Sequence, residues 1–392
     1  MVVVMACLGP AGPAHAVEIV QYFPVTPPGA PPAPAETGWR IRYQILPQLT
    51  HGYGGAAIWE LQSVEFMRGY TEAGEPDWIK VLGNLALVEM YVSYYDGYEI
   101  WDMQGLSGFV PASAAFVPGA GLLSATLQPD GFVIAEVADD HVRWMSIDDQ
   151  ARRGQRLDLW ATLSAANYRY IMRYRFLDDG TIQARVAGTS QNLRSVPVGE
   201  EAAMHVHQAA WRMEFDLGAP GANDLHVVER IAAPDSAGAN LQHRPFNNGV
   251  EGGEALNPEL FASLMVESTL VDNRHTPPHK VGYKMVPLRS GVLRNFRQYT
   301  QKDVWAALLT DPNGSTDRLR YLDVLNYVEL ARPLAGQPVA IWTTAALHHI
   351  PRTEDFGPEG YTASQGVALA MWAGFDLMPH NLWDKTPLYP LP

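Results

Sequence analysis

Apolar and polar residues alternate along much of the chain, and this pattern predicts β-strands. Trp39-Arg40-Ile41-Arg42-Tyr43 alternates in this way, and apolar residues also recur at every second position over residues 170–176. Successive side chains of a strand point to opposite faces of a sheet, so a period of two gives each strand one apolar face. Further strands are predicted around the alternate positions 86–92 and over residues 181–186 and 210–215.

Turn signals separate the predicted strands, whereas helical patterns are scarce. Asp178-Asp179-Gly180 is typical of a hairpin turn, and residues 258–266 are the best candidate for a helix. Hydrophobic residues make up 47% of the 392 residues, which is enough for a sizeable core. We therefore expect a mainly β protein, in the form of a large antiparallel β-sandwich.

The amino-terminal segment differs in composition from the rest. Residues 1–16 are mostly apolar and end with Ala14-His15-Ala16, a small-x-small pattern typical of signal-peptidase cleavage. We expect a signal peptide over 1–16, a Pro-rich tether over 17–37 and one compact domain over 38–392, in a secreted or periplasmic protein. No apolar run approaches the roughly 20 residues of a membrane-spanning helix.

Charge and cysteine content narrow the possible partners. The formal net charge of -14 argues against a nucleic-acid partner and is compatible with cationic ligands such as protonated amines. The single cysteine, Cys7, lies in the predicted signal peptide, so a mature chain would have no thiolate ligand and no disulfide. A bound metal would then be held by His, Asp, Glu or Tyr.

His205-Val206-His207 is a candidate metal-binding pair. In a strand, residues two apart project from the same face, so both imidazoles can reach one ion. Ordinary surface histidines also meet this spacing, so a third ligand is needed, and His348 and His349 follow a strand-like run. Three imidazoles without a thiolate suit Cu(II) or Zn(II) and leave positions for water or oxygen.

Five blocks of sequence, in this order, resemble the catalytic domain of the copper amine oxidases. They are Ser164-Ala165-Ala166-Asn167-Tyr168 with the hairpin that follows it, His205-x-His207, Val281-Gly282-Tyr283-Lys284-Met285-Val286-Pro287, His349-Ile350-Pro351-Arg352-x-Glu354-Asp355 and Asn381-Leu382-Trp383-Asp384-Lys385-Thr386-Pro387. The resemblance covers most of the chain and implies the β-sandwich fold of that family.

The resemblance implies a cofactor and the residues that hold it. Tyr168 matches the tyrosine that copper and oxygen convert to topaquinone, and Asn167 matches a side chain that orients the quinone ring. His205, His207 and His349 match the Cu(II) ligands.

The resemblance also implies the residues that assist the reaction. Asp102 matches the catalytic base, and Asp96 is its rival for this role. Tyr94 matches a tyrosine that hydrogen-bonds the quinone. His348 is the alternative to His349 as third copper ligand, because the two residues are adjacent.

The implied reaction is the oxidation of a primary amine by O2 to an aldehyde, ammonia and hydrogen peroxide, in a homodimer. A quinone carbonyl accepts the amine, which no ordinary side chain can oxidise. The alternative is a non-catalytic copper-binding protein in which Tyr168 stays unmodified. A zinc or copper hydrolase in which Asp102 activates water is a third hypothesis.

Two departures from the family pattern bear on these expectations. Arg169 follows Tyr168 where the family usually has an acidic residue. This change of charge sign next to the quinone precursor could interfere with quinone formation. In a strand, however, Arg169 would point away from the face of Tyr168. A peripheral divalent-metal site of the family would use acidic residues near Glu214 and Asp216, but Pro338 stands at its distant position, so we expect this second site to be absent.

Overall fold

A computed structural model of the protein describes most of the chain. The described residues are 3–6, 16–25, 35–46, 58–94, 99–101, 107–112, 123–147, 150–165, 168–190, 205–232, 239–289, 291, 297–311, 313–314, 320–349 and 368–383. Their strands form two large antiparallel sheets.

The first sheet contains ten of the described strands. They are β1 (Val3–Ala6), β2 (Val17–Phe23), β3 (Thr37–Leu46), β4 (Ile58–Tyr70), β5 (Pro76–Tyr94), β6 (Glu99–Trp101), β13 (His205–Phe215), β16 (Gly252–Glu254), β19 (Val304–Leu308) and β20 (Val339–His349). Their order is β1-β2-β3-β4-β5-β13-β20-β19-β16, and β6 pairs with β5. Strand β13 therefore lies in the interior of this sheet, between β5 and β20.

The second sheet contains eleven of the described strands. They are β7 (Ser107–Val110), β8 (Ser124–Leu127), β9 (Ile134–Met145), β10 (Ala151–Ala165), β11 (Tyr168–Leu177), β12 (Ile182–Ser190), β14 (Asn223–Ala232), β15 (Ala239–Pro245), β17 (Ser263–Asp272), β18 (Lys280–Leu288) and β21 (Ala368–His380). Their order is β15-β14-β17-β18-β21-β12-β11-β10-β9-β8, and β7 pairs with β10.

Helical structure among the described residues is limited to single turns. The 3-10 turns are Phe246–Gly249, Pro258–Leu260, Gln298–Gln301 and Tyr321–Asp323, and the α-helix α1 covers Val324–Tyr327. Within the described ranges, no helix has the length and hydropathy that crossing a membrane requires.

Aromatic side chains fill the space between the two sheets. Trp39 of β3 packs on Phe176 of β11 with ring centroids 5.3 Å apart, and Trp59 of β4 packs on Tyr174 of β11 at 4.8 Å. Each such ring removes about 150–250 Å² of surface from water, so these contacts hold the sheets face to face. The predicted antiparallel β-sandwich is confirmed, as are the strands predicted at 39–43, 86–92, 170–176, 181–186 and 210–215.

The predicted hairpin turn is also confirmed. Gly180 adopts a φ of 90°, a conformation that favours glycine, and its N–H donates to the carbonyl of Leu177 at 3.1 Å. Two buried side chains fix this turn to the rest of the molecule. Tyr283 donates its hydroxyl to the carbonyl of Gly180, and Trp39 donates its indole N–H to that of Leu177.

The helix predicted at 258–266 is wrong. The helical part is only Pro258–Leu260, and Phe261 leaves the turn with a left-handed φ of 52°. Strand β17 then begins at Ser263. Leu264 and Val266 are buried on the inner face of β17, so burial between the sheets outweighs the local helical signal.

Residues 17–23, which we assigned to the tether, form β2. The burial of alternate residues from Val17 to Phe23 shows that this segment packs as a strand of the first sheet. The sheet therefore begins before residue 38, the start that we expected for the compact domain. Residues 26–34 of the predicted tether and residues 7–15 of the predicted signal peptide lie outside the described residues.

Candidate metal centre

Two neighbouring strands bring three histidines together between the sheets. His205 and His207 lie two apart on β13 and share its inner face, and both are buried. The antiparallel register of β13 and β20 places His349 directly opposite His205, where it is also buried. His348, the alternative third ligand, is exposed. The structure thus groups His205, His207 and His349, and it leaves His348 outside the group.

The three imidazoles converge on one point. Nε2 of His205 lies 3.0 Å from Nε2 of His207 and 3.2 Å from Nδ1 of His349. One ring nitrogen from each residue lies within 4.8 Å of the others. Nitrogens that share one copper or zinc ion at about 2.0–2.1 Å lie about 3–4 Å from each other. The donor set and its spacing therefore fit a metal ion held by three imidazoles.

The surroundings keep the imidazole of His207 in the form that binds metal. Burial holds the pKa of His207 well below its ordinary value, and the nearby His205 and His349 lower it further. A neutral imidazole has the free lone pair that a metal ion needs, whereas a protonated one has none. The buried His207 is therefore held in the neutral form that binds a cation.

Tyr168 reaches the histidines from the opposite sheet. It begins β11 and is almost fully buried. Its hydroxyl oxygen lies 2.6 Å from Nε2 of His205 and 3.1 Å from Nδ1 of His349, the nitrogens that converge in the cluster. The phenol ring also packs edge-on against His207, with centroids 4.5 Å apart. The hydroxyl of Tyr168 therefore points at the position that a metal ion would take.

Tyr170 is a second tyrosine in the centre, and our sequence analysis did not identify it as a site residue. Its hydroxyl oxygen lies 2.8 Å from Nδ1 of His207, the nitrogen on the far side of that ring from the cluster. Its ring stacks on that of Tyr168 at an interplanar angle of 19°. The alternating pattern of β11 could have identified Tyr170, because residues two apart on a strand share a face and Tyr168 was already a candidate.

The remaining predicted site residues are described only in part or not at all. Tyr94 ends β5, and the register of β5 and β13 pairs its backbone with that of His205, but its side chain lies outside the described residues. Asn167, Asp102 and Asp96 lie wholly outside them.

Arg169 lies on the other face of β11 from Tyr168. Its side chain is exposed and donates to the hydroxyl of Ser164 at 2.5 Å and to the backbone carbonyl of Tyr168 at 3.1 Å. It lines a separate cavity of about 230 Å³ together with apolar residues that include Phe132 and Trp160. The guanidinium charge therefore lies outside the histidine centre, as the strand alternation predicts.

The acidic residues considered for a second metal site have cationic partners. Asp216 forms an ion pair with Lys80, and Glu214 forms one with Arg212 at 2.6 Å. Pro338, which stands at the distant position, offers no side-chain oxygen. The carboxylates of this region thus have partners within the protein.

Comparison with known proteins places the chain in a family. Residues 135–392 match the family described as copper amine oxidase, enzyme domain. The chain belongs to the copper amine oxidase family, and the resemblance found in the sequence is confirmed.

Individual relatives are distant and longer than this chain. Diamine oxidase [copper-containing] 1 of Nicotiana tabacum is 24% identical over 292 residues, which cover 64% of this chain and 35% of the relative. Copper amine oxidase 1 of Aspergillus niger is 23% identical over 257 residues, which cover 55% of this chain and 37% of the relative. The matches thus span about a third of the length of these curated relatives.

Solved structures share the fold. The copper-containing benzylamine oxidase of Hansenula polymorpha superposes with a TM-score of 0.65 at 18% identity, over 95% of this chain and 65% of that one. The lysyl oxidase of Pichia pastoris gives 0.58 at 15% identity, over 91% of this chain and 53% of that one. Identities this low support the fold alone.

Proposed function

We propose that this chain is the catalytic domain of a copper-dependent amine oxidase. It would convert a primary amine, O2 and water to an aldehyde, ammonia and hydrogen peroxide. One observation carries the proposal: the hydroxyl of Tyr168 lies within hydrogen-bond distance of two nitrogens of the histidine cluster. Membership of the family supports the same reaction.

His205, His207 and His349 would hold Cu(II), and Tyr168 would be the precursor of topaquinone. Bound copper supplies the redox chemistry with O2 that makes a quinone from a tyrosine. The chain contributes orientation, because Tyr168 is fixed by the hydrogen bonds of its hydroxyl and by the edge of the His207 ring. It also keeps bulk water away, since these four side chains are at most 2% exposed. Polar interactions are stronger in such a dry site.

Asp102 is the proposed proton acceptor, and Asp96 remains its rival. A carboxylate must remove a proton from the carbon next to the amine nitrogen, which a positioned base accelerates by about 10²–10⁴-fold. Asp102→Asn should therefore lower kcat by that factor and spare quinone formation, while Asp96→Asn should have a small effect. The opposite ranking would move the role to Asp96. Asn167 and Tyr94 are proposed to orient the quinone.

The decisive experiment is to make the cofactor in vitro. Metal-free protein is mixed with Cu(II) in air, its visible absorption is followed, and the product is titrated with phenylhydrazine. The proposal predicts a coloured, hydrazine-reactive group on the peptide that contains Tyr168, and its loss in Tyr168→Phe. The matched control is Tyr174→Phe, a tyrosine on the same face of β11 that packs against Trp59 instead. Copper binding without any such group would refute the oxidase.

The preferred substrate amine would be identified by a screen. The names of relatives point to diamines, N-methylputrescine, benzylamine and lysine side chains as amines to include. The net charge of -14 favours cationic substrates in general. Release of peroxide with each amine measures the preference.

The assembly and destination of the protein are further parts of the proposal. We propose a homodimer, which sedimentation of the purified protein would distinguish from a monomer. We also propose export after cleavage at Ala16. Amino-terminal sequencing of protein recovered outside the cytoplasm checks this, and an uncleaved intracellular product would contradict it.

A non-catalytic copper-binding protein is the second candidate. Arg169 favours it, because the family usually has an acidic residue at this position next to the quinone precursor. The hydrazine experiment separates the two candidates, since the binding protein would take up copper and leave Tyr168 unchanged.

A further inference from the structure

The two nitrogens of His207 face different partners. Nε2 lies in the cluster, 3.0 Å from Nε2 of His205, whereas Nδ1 lies 2.8 Å from the hydroxyl oxygen of Tyr170. His207 and Tyr170 are both fully buried at 0% exposure. Bulk water therefore cannot replace either partner of this ring.

This arrangement determines which nitrogen carries the proton. A neutral imidazole has one N–H and one lone pair, and ligation through Nε2 needs the lone pair there. The proton must then sit on Nδ1, where it donates to the hydroxyl oxygen of Tyr170. Without that acceptor, the ring would bury an unsatisfied N–H, which proteins avoid.

We propose that Tyr170 is a positioning residue for the metal centre, which holds His207 in the tautomer and ring orientation that present Nε2 to copper. This inference rests on the proposed function in so far as copper is the metal. Outer partners of ligating histidines usually have this effect, because they fix the tautomer and the ring orientation.

The surroundings of Tyr170 hold its hydroxyl in place. Strand β11 lies between β10 and β12, and the register places Tyr170 between Leu163 and Gly188. The backbone of Gly188 lies close to the ring, since a Cβ there would be at van der Waals distance, 3.4 Å, from Cε1 of Tyr170. The ring also stacks on Tyr168, with centroids 5.9 Å apart. Packing thus fixes the acceptor before any metal binds.

Two tyrosines at adjacent inward positions of one strand therefore have separate tasks. The hydroxyl of Tyr168 contacts the nitrogens of His205 and His349 that face the proposed metal position. Tyr168 is therefore the tyrosine that bound copper could oxidise. The hydroxyl of Tyr170 meets the nitrogen of His207 that faces away from the metal. Chemical conversion of Tyr168 would leave the contact between Tyr170 and His207 intact.

The test compares copper binding by metal-free full-length protein and its Tyr170→Phe and Tyr174→Phe variants. Cu(II) affinity is measured by competition with a chelator, and the coordination is followed by the nitrogen hyperfine pattern in electron paramagnetic resonance. We expect Tyr170→Phe to bind copper about 10–100-fold more weakly, with an altered spectrum. Tyr174→Phe removes a hydroxyl from the same face of the same strand and should match the parent. Parental affinity and spectrum in Tyr170→Phe would overturn the inference.

A second measurement does not depend on the folding of the variant. In parent protein loaded with diamagnetic Zn(II), ¹⁵N resonances of histidine report which ring nitrogen carries the proton. The inference requires a proton on Nδ1 of His207, and a proton on Nε2 would refute it. A parent that binds copper without forming a hydrazine-reactive group would refute only the oxidase. A parent that forms this group, with parental copper affinity in Tyr170→Phe, would refute only the role of Tyr170.

Discussion

The two ends of strand β11 have the same alternation of buried residues but differ in the chemistry of the side chains. At its start, Tyr168 and Tyr170 face the histidines of the opposite sheet through hydrogen bonds. At its end, Phe176 packs on Trp39 and has no polar atom to satisfy. Both ends bury alternate residues between the same two sheets. The alternation therefore determines which side chains meet, and the residue type determines whether they form a candidate metal site or an apolar core.

The two ends should also differ in what maintains them. Burial of apolar rings stabilises the aromatic end at about 1.5–3 kcal/mol for a side chain such as Phe. The histidine end buries polar rings, which must be hydrogen-bonded or bound to metal to avoid a penalty. Substitutions at the aromatic end should thus change stability, and substitutions at the histidine end should change metal binding.

The largest effect is expected at the histidine end. His207→Ala removes one of the three proposed ligands and should weaken Cu(II) binding by about 1,000-fold or more, because each ligand contributes a large share of metal affinity. His348→Ala is the matched control, since this histidine is exposed on the neighbouring strand β20. Chelator competition measures both. A similar loss in the two variants would mean that the cluster is not the copper site.

At the aromatic end, Phe176→Ala should lower the free energy of unfolding by about 3–5 kcal/mol through the cavity that it leaves. Its copper affinity should stay within about twofold of the parent, because Phe176 makes no contact with the cluster in this structure. Urea unfolding of the metal-free protein measures the loss of stability, and copper titration measures the affinity. A large loss of copper affinity in the folded variant would show that the ends are coupled.

The hairpin turn at the aromatic end should make stability depend on pH. Burial raises the pKa of Asp178 to about 7, although a hydrogen bond from the backbone N–H of Gln155 opposes this. Between about pH 4 and 7 the folded state then holds a proton that the unfolded chain has lost, so stability falls as pH rises through this range. Asp178→Asn cannot ionise and should lack this part of the decline, which is at most about 4 kcal/mol for a shift of this size.

Unfolding by urea at pH 5 and pH 8 tests the role of Asp178. The parent should lose more stability between the two pH values than the variant does. Equal losses would show that Asp178 is ionised in the folded state at both pH values.

The smallest effect is expected from Arg169→Gln. The side chain is exposed on the outer face of β11, and exposed substitutions change free energies by about 0.5 kcal/mol or less. The rate of quinone formation should thus stay within about twofold of the parent. A change of tenfold or more, followed by visible absorption after copper addition, would show that its charge acts through the strand.

Local patterns in the sequence predicted the inner faces of β11 and β13, and with them the pairing of His205 with His207 on one face. They did not predict that His349 lies opposite His205, because strand register across a sheet depends on partners far away in the chain. The resemblance to the family supplied His349 instead. The false helix at 258–266 has a similar cause, since the pairing of β17 with β18 and its burial between the sheets are not visible in the local pattern.

The separation of the three proposed ligands along the chain has a consequence for synthesis. His205 and His207 are neighbours, but His349 follows His205 by 144 residues. An ion that joins them closes a long loop, and the loss of chain entropy is small only once the sheet has formed. A nascent chain that has not reached His349 offers two imidazoles and weak binding. Full affinity for the ion thus reports that β20 has paired with β13, so copper would select finished molecules from unfinished ones.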